Sequence, residues 1–361
     1  MDDGLFVVRR GPASAHPDPA SHPISVWRSP QAHERDDMTK RIRKIALEEH
    51  FMAPGFENYS KAFTKHMDAD ARSYLASRLG DFDDMRIAEM DKAGIDYVVL
   101  SQTGPSVQSE RDPSVAALRA MENNDFLAKQ VARHPDRFGG FASLAMDVPR
   151  VAANELTRAV ETLGFKGALV NGHTNGVYYD DRSYDELWER MQALDVPLYL
   201  HPTDPLPVPK AYDGHPELAG AIWGWGVETG THALRLLFGG VFDRFPRLKI
   251  ILGHMGEGLP MMRWRFDSRF AVYSHGIKLE HPPSTYIGRN IVITTSGVCS
   301  PAALAGAVAE MGAEAVMFSV DYPYESTSIA ADFIESAPMV ERVRELVCSE
   351  NAQRLLKLDQ R

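Results

Sequence analysis

Eight short apolar runs, each followed by a stretch of helical periodicity, limit the folds open to this chain. They are KIALEEHF (44–51), YVVLSQ (97–102), FGGFASLA (138–145), KGALVNG (166–172), PLYLHP (197–202), KIILGH (249–254), NIVITTS (290–296) and AVMFSVD (315–321). Strands rich in Val, Ile and Leu that alternate with helices form parallel βα units buried on both faces. The amphipathic stretches include DDMRIAEMDKAG, PRVAANELTRAVETLG and SYDELWERMQALD. The first two end at Gly94 and Gly164, which suit a helix C-cap, and Pro149 falls near a helix start, where a missing N–H costs nothing. Eight units predict an α/β fold, a closed (β/α)8 TIM barrel, over residues 41–361 as a single catalytic domain. No G-x-G-x-x-G or P-loop pattern follows an early strand, which weakens a nucleotide-binding reading.

The length of 361 residues and the 44% apolar content suffice for one large core. A net charge of −10 argues against a nucleic-acid partner and offers no basic face to anionic lipid. No run approaches the roughly 18 apolar residues of a membrane span, and MDDGLFVVRR lacks the pattern of a secretory signal. Cys299 and Cys348 are the only cysteines, too few for a disulfide framework. Both read as small buried apolar residues in a reducing, cytoplasmic setting. Residues 1–40 are rich in Pro, Ser, His and charge without a hydrophobic period, and are expected to be a disordered extension. Met38 is a second candidate start.

Barrel enzymes collect their chemistry at the C-terminal ends of the strands. Here the first strand ends in Glu48-Glu49-His50, the fifth in His201, the sixth in His254 and the eighth in Asp321. Strand alternation sends Glu48 and His50 to one side and Glu49 to the other. Two carboxylates and two imidazoles, from Glu48, His50, His201 and Asp321, make a mixed N/O site for one divalent ion such as Zn²⁺, Mn²⁺ or Mg²⁺. A carboxylate inside an apolar strand, as Glu48 would be, is costly unless paired or ligated.

The segments IALEEHF, GALVNG, VPLYLHP, YDGHPEL, ILGHMGEGLP, ITTSG and FSVDYPYE resemble the amidohydrolase-like nonoxidative decarboxylases of hydroxybenzoates, the γ-resorcylate and 2,3-dihydroxybenzoate type, over residues 44–358. This resemblance implies metal ligation by Glu48, His50, His201 and Asp321, with His254 and Glu257 as an acid–base pair beside Asp321. It also implies a substrate-facing role for Arg265 and assembly as a homotetramer or homodimer. Hydrolytic relatives begin with His-x-His and carry a lysine on the fourth strand. This chain has Glu48-x-His50 and GALVNG without lysine, so one metal is expected. His173, in a shorter loop after the fourth strand, is a further substrate-binding candidate. Phe51, Phe63, Trp223, Trp225 and Tyr322 are candidates to wall an aromatic pocket, Phe63 and Tyr322 above the others.

The chemistry so implied is reversible decarboxylation of an ortho-hydroxybenzoate, such as 2,6- or 2,3-dihydroxybenzoate, without an organic cofactor. Direct loss of CO2 would leave an aryl carbanion. Protonating the ring carbon first avoids it, and Asp321, its pKa raised by its neighbours, is the expected acid. The rival is a metal-dependent hydrolase of the same fold, a lactonase or amidohydrolase.

Overall fold

A computed structural model describes residues 41–64 and 67–358, apart from the side chains of Ala62 and Phe63. The expected extension at 1–40 lies outside the described residues, as does the side chain of Phe63.

All eight runs contain strands, and the elements alternate as β1 (Ile45–Phe51), α1 (Met85–Ala93), β2 (Tyr97–Gln102), α2 (Pro113–Arg133), β3 (Phe138–Gly140), α3 (Pro149–Glu161), β4 (Ala168–Asn171), α4 (Asp185–Leu194), β5 (Leu198–His201), α5 (Gly224–Phe238), β6 (Ile250–Leu252), α6 (Arg263–Tyr273), β7 (Ile291–Thr294), α7 (Pro301–Met311), β8 (Val316–Met317) and α8 (Thr327–Ser336). Shorter helices fill some of the connections. Gly94 caps α1 in the left-handed region at φ 65°. Pro149 opens α3, but that helix closes at Thr162, two residues before Gly164.

Strands β1–β3 pair in parallel, as do β4–β8. A parallel bridge between Ala142 and Ala168 joins the two sets, and a second between Glu49 and Tyr322 closes the ring. β3 and β8 are shorter than their apolar runs. The rest of each run continues as irregular backbone held by single bonds, such as Asp321 N–H to the Glu48 carbonyl at 3.0 Å and His50 N–H to the Tyr322 carbonyl at 2.7 Å.

The core has two layers. Ile45, Leu47, Val99, Leu169, Tyr199, Ile251, Val292 and Met317 form one cluster with Ala352 and Leu356 of the C-terminal helix. Their sequence neighbours Ala46, Val98, Leu100, Val170, Leu198, Ile250 and Phe318 belong to the layer packed against the outer helices. Strict alternation would put Ile45 and Leu47 on the face opposite Glu48. The β1–β2 register instead slips between Ala46 and Glu49. This bulge leaves Leu47 and Glu48 opposite a single partner residue, so both face inward.

Cys348 is buried but Cys299 is exposed, so the expectation of a buried apolar role fails for Cys299. Among the described residues no helix is long and apolar enough to cross a membrane.

Candidate metal centre

The strand ends bring Glu48, His50, His201 and Asp321 together, each offering one ligand atom within 4.8 Å of the others. His50 Nε2 lies 3.2 Å from Asp321 Oδ1, and His201 Nε2 lies 3.5 Å from Glu48 Oε1. Glu48 Oε1, His50 Nε2 and Asp321 Oδ1 are all buried without a hydrogen-bond partner. Buried polar atoms are normally satisfied, so three convergent exceptions on two carboxylates and an imidazole are what a divalent cation would complete.

The opposite edge of each ligand is anchored. His201 Nδ1–H donates to the Pro202 carbonyl at 3.0 Å, and His50 Nδ1 pairs with Ser101 Oγ at 3.2 Å, so both Nε2 atoms turn toward the cluster. The Tyr199 hydroxyl donates to Glu48 Oε2 and lies 2.8 Å from Thr294 Oγ1. That bond occupies one carboxylate oxygen and leaves the other for the ion. Gly253 is needed beside it, because a Cβ there would collide with Glu48 Oε2. Burial, reinforced by the neighbouring His50, holds the His201 imidazole down at about 3, hence neutral and ready to ligate. Tyr199 escaped the sequence reading, although its position two residues before His201 on one strand was the available signal.

His254 sits at the edge of the cluster. Its Nε2 is 3.6 Å from Asp321 Oδ2 and 3.9 Å from Glu48 Oε1, and its Nδ1 is 2.8 Å from Glu257 Oε1. Burial opposes its charge, but Glu48, Glu257 and Asp321 outweigh burial and raise its pKa well above the ordinary value. Asp321 behaves oppositely to expectation. Burial alone would raise it, yet the neighbouring His254 and His50 imidazoles hold it below the usual carboxylate range. These directions favour a proton on the imidazole over one on the Asp321 carboxyl. Asp321, His254 and Glu257 all have left-handed backbones, at φ 79°, 48° and 53°. Such strain in non-glycine residues gathers at functional sites.

A cavity of about 760 Å³ opens over the cluster, with His201, His254, Glu257 and Asp321 in its wall. Trp223, Trp225 and Leu259 supply apolar surface, and Trp225 Nε1–H donates to Asp204 Oδ1 at 2.6 Å. Asp204 and Glu325 line it too, whereas among the described residues no lysine or arginine does.

Several expected contacts are not there. Tyr322 is buried on the outer side of the barrel, its ring beneath the Arg86 guanidinium at 4.4 Å. It follows Asp321 and so points away from the ligands, and Tyr324 lines the cavity in its place. Arg265 is exposed on α6, outside the cavity wall. His173 is buried with Nδ1 accepting from Gly176 N–H, again outside the wall. Phe51 packs in the outer core against Phe82 and Phe126.

Fold and site together define a metal-dependent barrel of the amidohydrolase type. The chain belongs to the amidohydrolase family, whose model matches residues 33–358. It is 45% identical over 325 residues to γ-resorcylate decarboxylase of Polaromonas sp., covering 88% of this chain and 99% of that protein. The γ-resorcylate decarboxylase of Rhodococcus jostii is 41% identical, covering 88% and 99%. Among solved structures, 2,6-dihydroxybenzoate decarboxylase complexed with 2,6-dihydroxybenzoate superposes with a TM-score of 0.84 at 42% identity, covering 88% of this chain and all of that one. The dihydroxybenzoic acid decarboxylase of Polaromonas sp., with bound manganese and 2-nitroresorcinol, gives 0.84 at 45% identity, covering 89% and 98%.

Proposed function

We propose that this chain catalyses the reversible, nonoxidative decarboxylation of an ortho-hydroxybenzoate of the 2,6-dihydroxybenzoate class. The observation that carries this reading is the four-ligand cluster with the His254–Glu257 pair, 2.8 Å apart, at its edge, in a chain 41–45% identical to γ-resorcylate decarboxylases. Glu48, His50, His201 and Asp321 would hold one divalent ion, Mn²⁺ or Zn²⁺. When bound, the ion supplies Lewis-acid attraction for the phenolate and carboxylate oxygens of the acid.

The chain's own groups then move the proton. Glu257 keeps the His254 imidazole charged and oriented, and His254 Nε2–H faces Asp321 Oδ2. Asp321 takes that proton and delivers it to the ring carbon bearing the carboxylate. The ring loses aromaticity, and breaking the C–C bond to release CO2 restores it. Trp223, Trp225 and Leu259 enclose the ring and limit water. The hydrolase alternative loses ground to the decarboxylase identity of these relatives.

A homo-oligomer is part of this reading, supported by apolar side chains left exposed on and beside α6, namely Met261, Trp264, Val272 and Tyr273. A cytoplasmic enzyme completes it. The test is to incubate manganese-loaded protein with a panel of hydroxybenzoates and follow the ultraviolet band of each acid. Loss of that band with release of CO2 is expected for ortho-hydroxy acids. Turnover of lactones or amides, with the acids untouched, would replace the proposal by the hydrolase.

A further inference from the structure

Outside the barrel, directly behind the ligands, lies a group of buried polar residues that the chemistry above does not use. Glu49 and Arg86 are 3% and 2% exposed, and with Tyr322 they line a small void near the Glu89 side chain. Burying a carboxylate and a guanidinium is costly, so a fold that keeps both gains something in return. Their bonds show what they hold. Arg86 Nη2–H donates to the His50 carbonyl at 2.6 Å, and Arg86 Nε–H donates to the Asp81 carbonyl at 3.0 Å. Glu49 Oε1 accepts from Val320 N–H at 3.0 Å. Each thus grips backbone immediately beside a metal ligand.

This seam needs such help. Between β1 and β8 the pairing is a single bridge, and β8 itself is two residues long. The Asp321-to-Glu48 and His50-to-Tyr322 backbone bonds are supplemented by side chains, with Leu47 N–H donating to Ser319 Oγ at 2.9 Å and Val320 N–H to Glu49. Three of the four ligands, Glu48, His50 and Asp321, ride on this join. Glu49 and Tyr322, each one step from a ligand, face outward and meet Arg86 of α1.

We propose that Arg86 and Glu49 form a clamp that fixes β1 against the end of β8, making both positioning residues for the ion site. Arg86 acts through the His50 backbone and Glu49 through Val320, next to Asp321. Neither touches the ion or the substrate. The inference rests on the proposed metal site, and it assigns a purpose to the second glutamate of the Glu48-Glu49 pair and to the cation of α1.

The test measures Mn²⁺ affinity by titration calorimetry on ion-free protein, with the Mn²⁺ electron-spin spectrum as a second readout. Arg86→Met is expected to weaken Mn²⁺ binding by about 10–100-fold, the range typical of lost outer-shell support, and to broaden the spectrum. Arg86→Lys, which can still donate to the His50 carbonyl, should recover part of that loss and serves if the Met variant fails to fold. Glu49→Gln keeps an acceptor for Val320 N–H and should bind nearly as wild type. Leu156→Ala, a core truncation on α3 away from the seam, should lower the melting temperature with Mn²⁺ affinity intact. Unchanged affinity in both folded Arg86 variants, or an equal loss in Leu156→Ala, overturns the clamp. Wild-type protein that fails to bind Mn²⁺ would instead sink the proposed function.

Discussion

His254 and Glu257 are joined by a 2.8 Å contact between Nδ1 and Oε1 across a single tight turn, which orients the imidazole facing Asp321 and favours its charged form. Replacing His254 by alanine removes the stored proton without removing a ligand. Turnover should fall by about 10²–10⁴-fold, the usual size of a general acid–base contribution, while metal content stays at the wild-type level. Kinetics paired with elemental analysis checks both halves. Loss of metal in this variant would make His254 a ligand.

Asp321→Asn keeps the shape but neither ligates as an anion nor passes a proton. Decarboxylation should drop by about 10³-fold or more, with Mn²⁺ binding weakened but measurable. Near-normal turnover with saturating Mn²⁺ would remove Asp321 from the proton path.

Tyr199→Phe removes the hydroxyl that donates to Glu48 Oε2. Glu48 should then lose its fixed orientation, and Mn²⁺ affinity should fall by about 10-fold or more. Calorimetry on the ion-free variant reads this directly, and affinity equal to wild type would show that the tyrosine merely fills space.

Chelation should abolish activity, and added Mn²⁺ should restore it. Because an ion that binds only the folded chain stabilises it by mass action, Mn²⁺ at 100 times its dissociation constant should add about 2.7 kcal/mol. A thermal melt with and without the ion measures that shift, and its absence would argue against a bound ion.

His232 gives a pH test remote from the ion. It is fully buried, with Nε2 accepting from Tyr179 N–H, and burial foremost pulls its pKa from 6.5 to about 3. Between those values the unfolded chain binds a proton that the folded chain refuses, so stability falls as pH drops below 6.5. Each such group costs roughly 1.4 kcal/mol per pH unit. Glu49, which burial pushes up to about 8, pulls the other way, but it is common to both proteins being compared. Urea denaturation from pH 6 to pH 4 should therefore show a shallower decline in His232→Asn than in wild type. Parallel slopes would mean that His232 titrates normally.

The strands were legible because Val, Ile and Leu concentrate in runs such as YVVLSQ, which matches β2 residue for residue. The gathering of Glu48, His50, His201 and Asp321 followed from the rule that strand ends converge. The bulge at Leu47 and Glu48 could not be read, because no residue there marks it and only pairing with β2 reveals the slip. The side-chain contacts were poorly legible for a related reason. Tyr322 and Tyr324 flank one proline, and which of them faces the cavity depends on the left-handed backbone at Asp321. The pKa of Asp321 was misjudged in sign because burial is visible in sequence, whereas the two imidazoles that offset it are brought in by β1 and the turn after β6.

The acidic lining of the cavity dictates an order of events. Asp204 and Glu325 disfavour an incoming benzoate where no dication offsets them, so ion loading ahead of the acid is the expected order. Once CO2 has departed, the neutral phenol left behind lacks the carboxylate that tied it to the centre. Departure of the phenol then encounters little electrostatic resistance.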